Sequence, residues 1–513
     1  MHRRLALFFL FLAALAVRAP AAEYFIDSAR GDDGRDGLSA EAAWKSLDRS
    51  NKQPFQPGDR LLLKAGSKFA GQLKPQGSGK NGSPIRIDRY GDGSKPQIAG
   101  EGVMPAALYL YNVEYWEVRN LDISNQGPGR KAKRSGVYIL IEDFGTAHHI
   151  VLSGLDIHDV NGSLVKSEGG GNGILWENRG RETKSRFDGL LIENNTVRRC
   201  ERNGIMGWSG HWQRPNWHPS LNVVIRNNLI EQVPGDGIVP IGCDGALVEY
   251  NVMRDCPRLL PDTEAAAGIW PWSCDNSVIQ FNEVSDHKSP WDAQGFDSDW
   301  NSRNTVIQYN YSHDNEGGFL LVCTNGEVKE PTSVGNIGTI VRYNVSINDG
   351  LRATGKHAGF SPAFHISGPV KDTKIYNNLV YSNQKPAGVE RKLLKMDNWG
   401  GPWPIDTWFA NNLFVTEDWT VYDYGKAVNT IFVNNLYWGD HRGAPEDAKA
   451  VRADPLFHMP GLIPAGIQAI LGYSLKANSP AAGAGLIIPD NGGRDFLGRP
   501  LPKDGAPSIG PLE

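Results

Sequence analysis

An asparagine returns through the middle of this chain in a nearly constant setting, and that recurrence limits the fold more than any other feature. The repeating unit reads apolar-x-apolar-x-x-Asn, then a short apolar run, a glycine-rich turn and a further run. The stretch from Val306 through Asn310 to Asp314, followed by Gly317-Gly318-Phe319-Leu320-Leu321, is a good copy. The asparagine stands at 120, 195, 228, 251, 282, 310, 344, 378, 412 and 435, with Gly154 in the same slot. The intervals are 34, 41, 33, 23, 31, 28, 34, 34, 34 and 23 residues. Self-similarity at such a period marks a stack of supersecondary units, each burying its apolar face on the next.

The runs between the polar corners are short and β-branched, and helical periodicity is nearly absent. The exception is Ser39–Leu47, which reads as a short cap helix with Ser39 as N-cap. An Asn at a fixed corner has two physical uses. It tolerates a left-handed backbone, and stacked amides hydrogen-bond along a column. A coil of about 22 residues or more with three short strands is a β-solenoid, its strands pairing about 4.8 Å above and below. Propeller blades need about 40–50 residues, longer than the 23-residue intervals allow. Glycine, at 59 of 513 residues, follows no three-residue period, so collagen is excluded. With 40 % hydrophobic and 21 % charged residues the chain is too apolar for disorder.

Two terminal segments add to this. Near the start stand Tyr24-Phe25-Ile26-Asp27-Ser28, Asp36-Gly37-Leu38-Ser39 and the run from Pro57-Gly58-Asp59 to Gly66. Near the end stand Asp454-Pro455-Leu456-Phe457, the run from Ser479-Pro480 to Gly485, and Ile509-Gly510. With the asparagine repeat, these motifs resemble secreted right-handed parallel β-helix proteins of the pectin-lyase-like fold, over nearly the whole chain. The resemblance implies an all-β right-handed parallel β-helix of about ten or more coils. It divides the chain into a signal peptide (1–22), a cap and first coils (23–105), a β-helix core (106–450) and a closing segment (451–513). The fold hosts lyases, hydrolases, esterases and adhesins, so function is argued from the site.

In that fold the glycine-rich corner leads into the first strand of each coil. The resemblance therefore stacks Gly173–Trp176, Gly204–Trp208, Gly237–Ile241, Gly268–Trp272, Gly295–Trp300, Gly318–Val322 and Ala363–Ser367. Period-2 alternation then sorts the faces. The residue after each leading Gly or Ala faces the core. The outward positions carry Trp208, then Trp270 and Trp272, then Asp297 and Asp299, then His365 and Ser367, with Lys395 and Asp397 following. Seven of the 15 tryptophans fall between 208 and 300, Trp212, Trp217, Trp291 and Trp300 among them. Sugar rings stack their C–H faces on such indoles. Three long insertions, 208–221, 256–267 and 285–294, flank the same face, where repeats commonly gather binding loops.

Asp297 and Asp299 are the sharpest chemical signal. At i and i+2 on one strand they share a face, with Cα atoms about 6.6–6.8 Å apart. Close carboxyls split their pKa values into an acid and a base, the pair that glycoside hydrolysis uses. The separation leans toward inversion, with rotamers able to change it. Asp236, Asp292, Glu316 and Glu264 are further acids near the same strands, and each taken alone is more often a turn residue. Asp236 and Glu316 join the catalytic candidates. Trp208, His211, Trp270, Trp272, Asp292, Trp300 and His365 are the substrate-binding candidates. Asp244 and Asp275 read as stacked turn acids, structural or calcium-binding. No histidine pair has zinc spacing, and the five cysteines fit buried apolar roles.

Three functions follow. The first is a glycoside hydrolase that needs no cofactor, with calcium as an option. The second is a polysaccharide lyase with Lys288, Arg303 or Lys395 as base and calcium on Asp292, Asp297 and Asp299. The third is a non-catalytic, glycan-binding solenoid. The strand faces around the tryptophans hold no basic residue, which favours the hydrolase and an oligosaccharide or polysaccharide partner.

Residues 1–22 have a basic start (His2, Arg3, Arg4), an apolar stretch Leu5–Val17 and the small-x-small pattern Ala19-Pro20-Ala21. They read as an export signal cut after about Ala21 or Ala22, giving a secreted or periplasmic protein. Removing three Arg leaves 50 basic and 57 acidic side chains, a formal −7. That is no footprint for nucleic acid. No apolar run is long enough for a membrane span, and a monomer is expected.

Overall fold

The computed structural model describes residues 21–326, 332–350, 352–384, 390–461, 466–503 and 505–513. The expected export signal falls almost wholly outside the described residues. The rest is a parallel β-helix. Coil after coil, three strands stack on their equivalents in neighbouring coils, all in parallel register.

The face that matters here is built from β1 (Ala106–Tyr111), β2 (Arg134–Glu142), β3 (Gly171–Arg179), β4 (Asn203–Ser209), β5 (Ile238–Val239), β6 (Phe296–Ser298), β7 (Leu320–Cys323), β8 (Phe364–Ser367) and β9 (Lys392–Asp397). Ile174, Ile205, Ile238, Ile269 and Phe296 stack inward and are fully buried, as the alternation requires. Strands paired on both sides leave backbone donors and acceptors satisfied, so each coil needs only an apolar inner column to hold it.

The amide column exists, one slot away from part of its expected path. From Asn195 through Asn228, Asn251, Asn282, Asn310, Asn344, Asn378 and Asn412 to Asn435, each Nδ2 donates to the next Oδ1 at 2.9–3.0 Å. The column ends on Asp447. The left-handed corner residue is the one before each ladder Asn: Asn194, Asn227, Tyr250, Phe281, Tyr309 and Tyr343 all have φ of 52–57°. Asn120 (φ 55°) and Gly154 (φ 67°) sit in that corner slot and not in the ladder. Corner and amide ladder are thus adjacent positions with separate jobs. At Tyr250, Phe281, Tyr309 and Tyr343 the rings stack 4.9–5.7 Å apart, offsetting the cost of a left-handed aromatic residue. The closing segment covers this ring column, burying Phe496, Ile509 and Leu512 in the same apolar cluster.

Two further expectations are corrected. Ser39 caps no helix; its Oγ accepts the amide of Ala42 in a turn (3.2 Å). Trp44 is instead drawn into a parallel bridge with Ile26, its amide donating to the Phe25 carbonyl, and is fully buried. The α-helix α1 (Leu47–Asn51) starts after it, capped by Ser46, whose Oγ accepts the amide of Arg49. The coil after Asp297 is also slipped by one residue. The amides of Phe319 and Leu320 both donate to the carbonyl of Ala363 (3.0 and 2.9 Å), a bulge that absorbs one residue. Leu320, not Phe319, therefore pairs with Phe296, and Leu321 and Cys323 face outward below Asp297 and Asp299.

Candidate active site

Register sets two outward columns side by side. One runs Met206, Val239, Trp270, Asp297, Leu321, His365, Lys395. The other runs Trp208, Ile241, Trp272, Asp299, Cys323, Ser367, Asp397. Where they cross the coils of Trp270 and Asp297, they floor a cavity of about 450 Å³. Its walls include Asp236, Asp292, Asp297, Asp299, Trp270, Trp272 and Trp300 from the expected set, with Lys166, Trp212 and Trp399 added.

The carboxyls are electrostatically unequal. Asp297 is almost fully buried and its Oδ1 has no hydrogen-bond partner among the described residues. Burial, reinforced by the charges of Asp299, Asp292 and Asp236, pushes its pKa well above the ordinary range against the pull of Lys166. Burial also raises Asp299, but its Oδ1 is held by the Trp300 amide (2.6 Å) and the Cys323 thiol (3.0 Å), both of which favour the anion. Burial takes Asp292 up to about 6 against the attraction of Lys166. Its backbone is left-handed (φ 56°), a strain that functional positions often hold. Asp236 goes the other way. Burial would raise it, but Lys166, Arg202 and the Ala267 amide together hold it below the ordinary range. Asp236 is an ionised structural anchor: it pairs with the fully buried Arg202 and accepts the indole N–H of Trp270 at 3.2 Å.

Lys166 was invisible to the strand pattern. It stands in a short 3₁₀ turn (Lys166–Glu168) between β2 and β3, and reaches over the Trp270 ring (5.3 Å) with Nζ 3.6 Å from Asp236. Its amide donates to Glu264 Oε2 at 2.8 Å, and Glu264 also pairs with Arg202 at 3.4 Å. Glu264 thus ties the 256–267 insertion to the lysine turn. The site is consequently not free of basic residues, as the sequence had suggested.

Tryptophans form the opposite wall. Trp272 stacks between Trp208 (5.9 Å, 12°) and Trp300 (5.1 Å, 25°), and Trp212 leans on Trp272 and Trp300 at 5.0 Å from each. The Trp212 loop is pinned from behind. Its carbonyl accepts Ser273 Oγ (2.7 Å), and Arg214 grips Asp275 with both terminal nitrogens (3.1 and 2.9 Å). Arg303 binds Asp275 as well, at 2.6 Å. Asp275 is therefore structural, and Arg303 is committed to it. Lys395 is committed likewise to Asp423 (2.9 Å).

Four expected site residues lie off the cavity. Glu316 is paired with Arg258 in the corner behind it, and its carbonyl accepts Ser361 Oγ. His211 is buried and turned inward, Nε2 accepting the Ser185 amide at 3.3 Å. Trp208 is exposed and does not line the cavity, its ring stacked on Trp272. His365 lies two coils further on, buried behind Trp399. Among the described residues, no group of three or more His, Cys, Asp or Glu side chains is arranged to hold a metal ion. No described helix is long and apolar enough to cross a membrane.

Residues 106–389, more than half of the chain, match the family described as right-handed beta helix region. The chain belongs to that family. Within this β-helix family, a curated relative is the lacto-N-biosidase of Bifidobacterium longum subsp. longum, 28 % identical over 96 % of this chain. The chain spans 36 %, about a third, of that relative's length. Among solved structures it is similar to the GH136 lacto-N-biosidase of Eubacterium ramulus, at 25 % identity and TM-score 0.58, covering 82 % of this chain and 68 % of that one. XylC in complex with xylose, at 11 % identity and TM-score 0.52, covers 96 % of this chain and 98 % of its own, and shares the fold.

Proposed function

We propose that this β-helix protein is a glycoside hydrolase that cleaves an oligosaccharide with the carboxyls of Asp292 and Asp299. The observation that carries this reading is the gradient of acidity in one tryptophan-walled cavity. A carboxyl near pKa 6 is poised to give and take a proton at neutral pH. A neighbour whose Oδ1 is already held by two donors is set to stay anionic. Asp292 is the proton donor to the leaving oxygen. Asp299 supplies the opposing negative charge, as nucleophile or as base for water according to the spacing the substrate imposes. Asp297, buried beside Asp299 on the same strand face and held toward its neutral form, donates a hydrogen bond rather than charge. Trp270, Trp272, Trp212 and Trp300 stack the sugar rings.

The likeness to lacto-N-biosidases supports the same bond type and points to a lacto-N-bioside as the first substrate to try. The reaction as proposed uses no cofactor. With residues 1–22 read as an export signal, it takes place outside the cytoplasm.

The test is hydrolysis of an aryl lacto-N-bioside and of a panel of oligosaccharides and polysaccharides. Saturated reducing ends support the hydrolase. Ultraviolet-absorbing unsaturated ends, lost on chelation, would make the chain a lyase. Full activity in both Asp292→Asn and Asp299→Asn would remove the site. The anomer released, followed by NMR, tells nucleophile from base.

A further inference from the structure

On the far side of the Asp297–Asp299 coil from the tryptophan wall, the same two outward columns carry a second polar pair. His365 follows Leu321 below Asp297, and Ser367 follows Cys323 below Asp299. Two coils separate the pairs, about 9.6 Å along the axis. Both ring nitrogens of His365 and the hydroxyl of Ser367 are buried without a hydrogen-bond partner among the described residues. Buried polar groups are nearly always paired, so three orphaned atoms on one strand face call for a function. Burial holds the imidazole neutral, its pKa down to about 4. A neutral imidazole offers one donor and one acceptor, and the serine hydroxyl offers both. This is the pattern that vicinal sugar hydroxyls satisfy.

The imidazole of His365 is flanked by aromatic rings. Trp399 meets His365 edge-on (5.5 Å, 80°), and Phe360 makes a second edge-on contact with it (5.4 Å, 81°). Trp399 is also a wall of the catalytic cavity, so one indole divides the cavity from the polar pair. It sits on a tight turn, with a left-handed backbone (φ 42°) and Gly400-Gly401 after it. Asn398 closes that turn by donating Nδ2 to the Gly401 carbonyl at 2.7 Å. Trp399 as a whole is 42 % exposed. Its turn is anchored and strained while its ring is not packed in place.

We propose that His365 and Ser367 form a saccharide subsite for the leaving-group sugar, opposite the tryptophan wall, entered when the Trp399 ring rotates aside. The inference rests on the glycosidase reading, because only an enzyme that cleaves between sugars has a second sugar to seat. It adds where the second sugar goes and what recognises it: an uncharged, hydroxyl-bearing ring, hydrogen-bonded by a neutral imidazole and a serine.

The test uses the full chain and two probes with the same glycone, an aryl lacto-N-bioside and a lacto-N-biosyl oligosaccharide whose leaving group is a sugar. Dissociation constants come from titration calorimetry and KM and kcat from turnover. His365→Gln and Ser367→Ala should each weaken the oligosaccharide about fivefold or more, the loss of a neutral hydrogen bond. The loss on the aryl glycoside should be at least fivefold smaller, with the effect in KM rather than kcat. Trp399→Ala should open the pair and tighten oligosaccharide binding, and His365→Gln in that background should remove the gain. Equal losses on both probes, or none on either, would overturn the subsite. Failure of the unaltered protein to hydrolyse either probe would instead sink the glycosidase reading, with the affinity comparison still deciding the subsite. A thermal melt of each variant separates misfolding from either result.

Discussion

The indole Nε1 of Trp270 donates to Oδ1 of Asp236, 3.2 Å away, while the other oxygen of that carboxylate pairs with a fully buried Arg202. A ring of the proposed sugar platform is thus oriented by an ion pair, and the ion pair is fixed in turn by the insertion that carries Glu264. Removing the charge of Asp236 leaves the buried guanidinium of Arg202 with one carboxylate, Glu264 at 3.4 Å, beside the neutral acceptors Asn203 Oδ1 and the Ala265 carbonyl. Asp236→Asn should destabilise the protein by about 3 kcal/mol, the usual cost of breaking a buried pair from one side. Denaturant unfolding measures it. KM should rise as well, because Trp270 loses its orientation, and Glu264→Gln should do less to both. A variant as stable as the parent would show that Arg202 is neutralised elsewhere.

The acid assigned to Asp292 fixes a direction for the pH profile. Its carboxyl must be protonated to donate, and its pKa is raised to about 6 by burial. The rate therefore falls as pH rises through about 6, giving the alkaline limb of kcat/KM. Asp292→Asn should abolish that limb together with most activity on poor leaving groups, by about 10²–10⁴-fold. Aryl glycosides with acidic phenols should retain far more. An unchanged alkaline limb in the variant would move the acid to another residue.

Residue alternation and the asparagine period made most of the fold legible, because both are set by the coil itself. An inward Ile or Phe every second position and an amide that bonds its own copy leave a periodic trace. What escaped is what one coil contributes to another. Lys166 enters the cavity from a turn between β2 and β3, and nothing in its own neighbourhood distinguishes it from a surface lysine. Arg214 and Asp275 meet across 61 residues to hold Trp212. The bulge at Phe319 follows a Gly-Gly pair, a signal that was on hand, yet only the shared Ala363 carbonyl shows where the extra residue goes. Ser39 looked like a cap because helix signals are local, whereas Trp44 answers to the strand at Phe25.

The ladder makes a prediction that separates its two kinds of asparagine. Asn310 Oδ1 accepts both the amide and the Nδ2 of Asn282, and its own Nδ2 donates to Asn344 Oδ1 and the Ile279 carbonyl. Asn310→Ala strands several buried groups and should cost about 3 kcal/mol or more. Asn120 stands in the left-handed slot, where its side chain makes one bond, to Asp88. Asn120→Gly should cost under about 1 kcal/mol, since glycine accepts the corner backbone. Equal melting shifts for the two would contradict the slot assignment.

Asp297 should reveal itself as a residue kept at the expense of stability. Its folded pKa lies well above the unfolded value, through burial first and the charges of Asp299, Asp292 and Asp236 next. Such a group favours the folded state only while protonated. That contribution is complete below the ordinary carboxylate range and is lost as pH rises through the folded pKa. At pH 7–8 the unfolded chain gains an ionised carboxylate that the buried site opposes, so folding bears a cost. Asp297→Asn keeps the shape, removes the titration and should stabilise the protein by about 1 kcal/mol or more at pH 8, with no gain at pH 4. Activity should fall in the same variant, as expected where a destabilising group serves function. Chemical denaturation at the two pH values checks it, and a variant less stable than the parent at pH 8 would mean that Asp297 is ionised and paired.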